Sequence, residues 1–240
     1  MRVGLVPDDL WERVAPLLPP APERRHRHPR RLRVPDRVAL VGTMYVLRPG
    51  VAWRDVPAET VGCSGVTAWR RRRERTEASV WRRLHAALLT ELRRAGLLDL
   101  DDCSLDGTHL RALRGGIRSG PRPSTAPVPA PSTTDAVPSI RGPRGRPRRK
   151  PQRLYADRGY DFDKCRRLLW KRGIKPFIAR RGFAHGPGLG KVRWVVERAF
   201  AWLHQFKRLR TRYERRADLH QGLLELACSL ICLRRLRTSS

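Results

Sequence analysis

Apolar residues recur at helical spacing through the first third of the chain. From Asp36 onward, Val38, Val41, Met44, Tyr45 and Leu47 lie close to one helical stripe, started by Pro35-Asp36 and stopped by Pro49-Gly50. A shorter helix over "DDLWERVAPLLP" is opened by Pro7-Asp8 and ended by the prolines at 19, 20 and 22, after which a basic loop follows. A Ser64-capped helix over residues 65–75 is expected to turn Trp69 inward and Arg70, Arg71, Arg72 and Arg73 outward, and residues 79–95 make a longer helix closed by Gly96. The reading is an all-helical, basic domain over residues 1–98.

Beyond residue 98 the period shortens. Cys103–Leu105 suits a strand ending at Asp106-Gly107, and Leu154–Ala156 suits another ending at Asp157. After the second strand come a turn at Arg158-Gly159, Asp161 as the expected N-cap of a helix through "FDKCRRLLWKR", a glycine stop at Gly173, and a strand over residues 174–179. Strand, helix, strand in so short a span is a βαβ unit with parallel strands. Ligands of open α/β sheets bind at the carboxyl ends of the strands, so Asp106 and Asp157 are site candidates. Each could instead be a turn aspartate bonded to its own backbone.

Residues 117–151 show neither period and are rich in Pro, Gly, Ser, Thr and Arg, which reads as a disordered linker with a basic end. "ARRGFAHGPGLGK" lacks the Gly-Lys-Ser/Thr close of a phosphate loop and reads as a flexible connection. From Lys191 a helix carries Val192, Val195, Val196, Ala199, Phe200, Leu203 and Phe206 on one stripe with Glu197 off it. A last helix, capped by Asp218, carries Leu219, Leu223, Leu226, Leu230 and Leu233.

Charge narrows the partners. The chain of 240 residues holds 52 Lys and Arg against 22 Asp and Glu, a net charge of +30, so it repels itself unless it meets a polyanion. Nucleic acid fits. No membrane partner is expected, because no signal peptide, lipidation motif or spanning apolar run is present. Five cysteines without a Cys-x-x-Cys pair argue against a disulfide framework or a zinc ribbon and for a reducing cytoplasm, with the protein on the nucleoid. Cys228 and Cys232, four apart, read as small buried hydrophobes on one helix face. The helix of residues 65–75 has the size and charge of a major-groove reader, although arginine runs contact phosphates more often than bases.

The segments "SLDGTHLRA", "LYADRGYD", "IKPFIARRG" and "VRWVVERAFAWLHQFKRLRTRYE" resemble the catalytic segments of the DDE transposases of bacterial insertion sequences, in the insertion sequence 5 group. "LVPDDLWERVAPLLP" and "GVAWRDVP" are similar to that group's N-terminal DNA-binding region. The resemblance implies an α/β chain: a helix-turn-helix-like domain followed, over residues 99–240, by a ribonuclease H-like catalytic domain. It implies catalytic and metal-binding roles for Asp106, Asp157 and Glu197, with Mg2+ or Mn2+ as cofactor. Arg198, Lys207, Arg208, Arg212 and Tyr213 would contact the backbone of double-stranded DNA, both terminal inverted repeats and target. Glu214 matches the family's second acid on that segment, and a salt bridge is its expected role. Whether the chain acts as a homodimer stays open.

One departure qualifies that picture. Members of the family carry a two-stranded hairpin and a helix between the first two acids, whereas residues 117–134 hold five prolines and no apolar run. An internal deletion is therefore expected, leaving an incomplete sheet and little or no strand transfer. The alternatives are a non-catalytic protein that binds terminal repeats and, on charge alone, a basic RNA- or ribosome-associated protein.

Overall fold

The computed structural model describes residues 4–21, 32–105, 138–142, 145–156, 158–180 and 189–239, the side chains of residues 158 and 189–196 excepted. Two compact units divide these residues.

The first unit is helical. Its elements are α1 (Asp8–Val14), α2 (Asp36–Leu47), α3 (Ala58–Val61), α4 (Gly65–Glu77) and the start of α5 (Val80–Arg94). To these it adds His204–Leu233, including the 3-10 turn Lys207–Leu209 and most of α8 (Ala217–Arg237). The sequence reading draws its boundary at residue 98, whereas here a segment near the end of the chain folds with the helices near its beginning. The apolar faces explain why. Leu10, Val14, Leu40, Met44, Leu47, Ala68, Trp81 and Leu84 are buried, and so are Leu219, Leu223 and Leu226 of α8. Gly42 lets α2 approach α4, since a Cβ there would stand 2.7 Å from that of Ala68.

Ser64 caps α4 as expected, accepting from the Thr67 amide. The expectation that Arg70 to Arg73 all face outward is corrected: Arg70 and Arg73 are exposed, while Arg71 and Arg72 are buried. Four consecutive helical residues at 3.6 per turn cannot share a face. The buried pair find acceptors, Arg71 at Glu74 (3.0 Å) and Arg72 at the Leu219 carbonyl (2.8 Å). Arg75 is buried too, donating to the carboxylate and carbonyl of Asp36.

The second unit holds a sheet of strands β1 (Asp102–Leu105), β2 (Arg153–Ala156) and β3 (Lys175–Ile178), in that order and all parallel. Helix α6 (Asp163–Lys171) connects β2 to β3, the expected βαβ unit, and Gly173 ends it at φ 67°. Leu154, Ala156, Tyr160, Leu169, Ile174 and Ile178 form the small core. Asp161 is not the cap of α6: Phe162 holds that position with no side-chain bond, and Asp161 pairs with Arg166 instead. Asp218 likewise lies inside the first turn of α8 rather than before it.

Part of the expected linker is structured. Ile140 is buried, exchanges backbone hydrogen bonds with Arg148, and accepts from Arg93 through its carbonyl. Residues 117–134, where the deletion is expected, lie outside the described residues, as does most of the glycine-rich connection. Helix α7 (Leu189–His204) follows. Among the described residues no helix is long and apolar enough to cross a membrane.

Candidate active site

The parallel register of β1 and β2 pairs Asp102 with Arg153 and ends by pairing Leu105 with Ala156. Asp106 and Asp157 lie outside the described residues, but each is the next residue after one of that terminal pair. The sheet thus delivers both chain segments to its carboxyl edge side by side.

Arg166 of α6 braces this edge. Its guanidinium donates to Asp161 at 2.9 and 2.7 Å and to the carbonyl of Ile178, the last residue of β3, at 2.8 Å. The Asp161–Arg166 pair is mostly buried, so the loop after β2 and the end of β3 are tied through one rigid planar group. Glu197 and Arg198 sit on the exposed face of α7, and the Arg198 guanidinium lies 5.0 Å from the centre of the Trp202 ring. Glu197 is exposed. Ala199 of the expected apolar stripe is exposed, and Phe200 and Leu203 are half-buried. Among the described residues no group of three acids, histidines or cysteines stands together.

The residues after α7 do something the sequence reading did not foresee. Lys207 is exposed, while Arg208 and Arg212 are buried. Arg208 pairs with the buried Glu214 at 3.1 Å, lies over the Tyr213 ring at 4.3 Å and reaches the Trp53 ring at 5.9 Å. Arg72 approaches the same Trp53 ring at 5.3 Å. Arg212 donates to the backbone carbonyls of Glu214 and Arg215. Burial works to raise the Glu214 carboxyl, and the neighbouring His220, Arg208 and Arg72 outweigh it, holding it down at about 2. His220 Nδ1 stands 3.9 Å from that carboxylate, an ion-pair distance rather than a hydrogen bond. The expected salt bridge of Glu214 is therefore present. Arg208 and Arg212 turn their guanidiniums into the protein, which leaves Lys207 and Arg210 as the exposed cations of residues 207–212.

The "GVAWRDVP" segment is seated on this cluster. Gly50, at φ 78°, lies so close to Lys207 that a Cβ would meet the Lys207 Cβ at 2.9 Å, and the Arg48 carbonyl accepts from the Lys207 amide. Two segments distant in sequence, each singled out by its pattern, are one packed feature of the first unit.

The same two regions are matched by family models. Residues 6–85 match a model described as "Putative transposase of IS4/5 family", and residues 154–234 match a "Transposase DDE domain". Two curated proteins of Burkholderia cepacia are similar. One, "Insertion element IS402 uncharacterized 16.2 kDa protein", is 45% identical over 59% of this chain and 97% of its own length. The chain belongs to the IS4/5 family of insertion-sequence transposases. The other relative of this transposase, "Putative transposase for insertion sequence element IS402", is 52% identical over 55% of the chain and 60% of its own length. The chain thus spans about three fifths of the length of that longer relative. No solved structure matches the chain.

Within the family frame, Arg166 and Trp53 are residues that sequence reasoning passed over. Trp53 carried a signal, standing in "GVAWRDVP", but nothing in its neighbours announced two arginines from distant helices. Arg166 looked like one more cation in "DKCRRLLWK".

Proposed function

We propose that this transposase cleaves DNA and transfers strands, with Asp106, Asp157 and Glu197 as its catalytic acids. The observation that carries the reading is the Leu105–Ala156 register, which brings the chain to the first two acids at adjacent strand ends. Three carboxylates are a hard-oxygen donor set suited to Mg2+ or Mn2+, which leave room for substrate oxygens and water. Bound there, a divalent pair supplies activation of the attacking oxygen and charge stabilisation at the leaving oxygen.

The chain's own residues do the rest. Arg166 holds the loop after β2 against β3, which fixes the approach to Asp157. Arg198 and Lys207, both exposed, are suited to phosphate contacts. On α4 the outward Arg70 and Arg73, with Val66 at 55% exposure, are suited to a terminal inverted repeat in the manner of a groove-reading helix. Arg71, Arg72, Arg208 and Arg212, buried, and Tyr213, half-buried, stiffen the first unit from within. The internal deletion expected from residues 117–134 would leave β1 an edge strand and turnover slow.

The test combines the purified chain with a duplex bearing its own terminal repeats. A slow nick that requires Mg2+ or Mn2+, and Mn2+ binding by calorimetry, are both expected to vanish in Asp157→Ala. Cleavage or Mn2+ binding indifferent to that substitution would overturn the assignment.

A further inference from the structure

At the amino-terminal edge of the sheet, away from the strand ends that lead to the acids, lies a cleft of about 580 Å³. The segment 146–152 that enters β2 and the turn Arg172–Ile174 that enters β3 form its walls. Five cations line it, Arg146, Arg148, Arg149, Lys150 and Arg172, and no acidic residue does.

Their engagement differs. Arg148 is paired with Asp101, and Lys150 donates to the Arg172 carbonyl at 2.6 Å. These bonds, with Pro147 and Pro151 fixing the backbone, hold the wall in one shape. Arg146 and Arg149 are exposed and have no ion pair with a described residue. A rigid wall presenting two uncommitted guanidiniums is preorganised for phosphate oxygens. Its lining contains no aromatic ring on which a base could stack, so it suits a duplex backbone rather than unpaired bases. Strands of four residues put the two edges of the sheet roughly 10–13 Å apart at about 3.3 Å per residue.

We propose that this cleft is a second, sequence-independent seat for the phosphate backbone of duplex DNA, separate from the cutting edge. It goes beyond the cleavage reading and does not rest on the acids. A duplex gripped there is held beside the sheet whether or not it is being cut.

The experiment measures affinity of the full chain for a duplex without terminal repeats across a salt series. Replacing Arg146 and Arg149 by Ser should lower the log–log salt slope by about 1.8, at about 0.9 per phosphate contact. Arg146→Lys with Arg149→Lys should restore the slope. The double Arg94→Ser, Arg235→Ser variant removes the same charge from exposed positions elsewhere and should leave the slope within error. Equal loss in the two Ser variants would overturn the proposal, as would a slope change seen with double-stranded RNA but not with DNA. Nicking of repeat-bearing duplex at saturating concentration should be unchanged by the Arg146 and Arg149 substitutions. A failure of metal-dependent nicking would count against the acid assignment alone, because the salt slope is read without metal.

Discussion

Glu214 lies 3.1 Å from the Arg208 guanidinium, and both side chains are nearly closed off from water. Arg72 is buried nearby and donates to the Leu219 carbonyl, so one carboxylate balances more than one interior cation. Glu214→Gln should therefore destabilise the first unit by about 3–5 kcal/mol, the usual cost of stranding a buried charge. Urea unfolding followed by tryptophan fluorescence measures it; a change under 1 kcal/mol would show that the cluster is solvated.

The same carboxyl sets a pH dependence. Its folded value, about 2, lies below the ordinary 4.5, so its contribution is complete above about pH 4.5 and is lost as pH falls toward 2. The stability difference between the wild-type chain and Glu214→Gln should be flat from pH 7 to 5 and shrink between 4.5 and 2. A difference that grows on acidification would contradict the assigned direction.

Neighbouring arginines on α4 should behave differently. Arg72→Ala removes a buried donor from the Leu219 carbonyl and a cation from the Trp53 ring, and should cost about 2–4 kcal/mol of stability. Arg70→Ala should leave the melting curve within about 0.5 kcal/mol and weaken binding to the terminal repeat. Thermal denaturation beside fluorescence anisotropy on labelled repeat DNA separates the two effects.

Arg166 is a positioning residue in the proposed chemistry. Arg166→Met keeps much of the side-chain volume while freeing Asp161 and the Ile178 carbonyl. The single-turnover cleavage rate should fall about 10-fold or more with little change in DNA affinity, since a small displacement of a catalytic group carries a large rate penalty. Equal rates in the two proteins would remove Arg166 from the mechanism.

Much of this architecture was legible in the sequence. Helix ends stand where Ser64, Gly96 and Gly173 put them, because these residues impose local geometry that tertiary contacts did not override, whereas Asp161 and Asp218 pair with arginines instead of capping. The βαβ unit was readable for the same reason. What escaped the pattern was the destination of charge. A run such as Arg70 to Arg73 looks solvated from composition, yet half of it turns inward, and only the fold reveals the carbonyls and rings waiting there. The partnership of Trp53 with Arg208 was equally illegible, since period and propensity describe neighbours along the chain and say nothing about residues far from them. At the candidate site, the strands before Asp106 and Asp157 followed from the pattern and their pairing from the fold that the family resemblance implies; the brace at Arg166 followed from neither.

Arg72 and Glu214 share one buried cluster although about 140 residues of chain separate them. On a ribosome adding roughly 5–20 residues per second, the arginine is made on the order of 10–30 s before its counter-charge. During that interval the helical unit lacks α8 and the buried Glu214 carboxylate, and its cations have water or cellular polyanions for company. The helical unit therefore closes its buried charge cluster only after the strands of the second unit have been made.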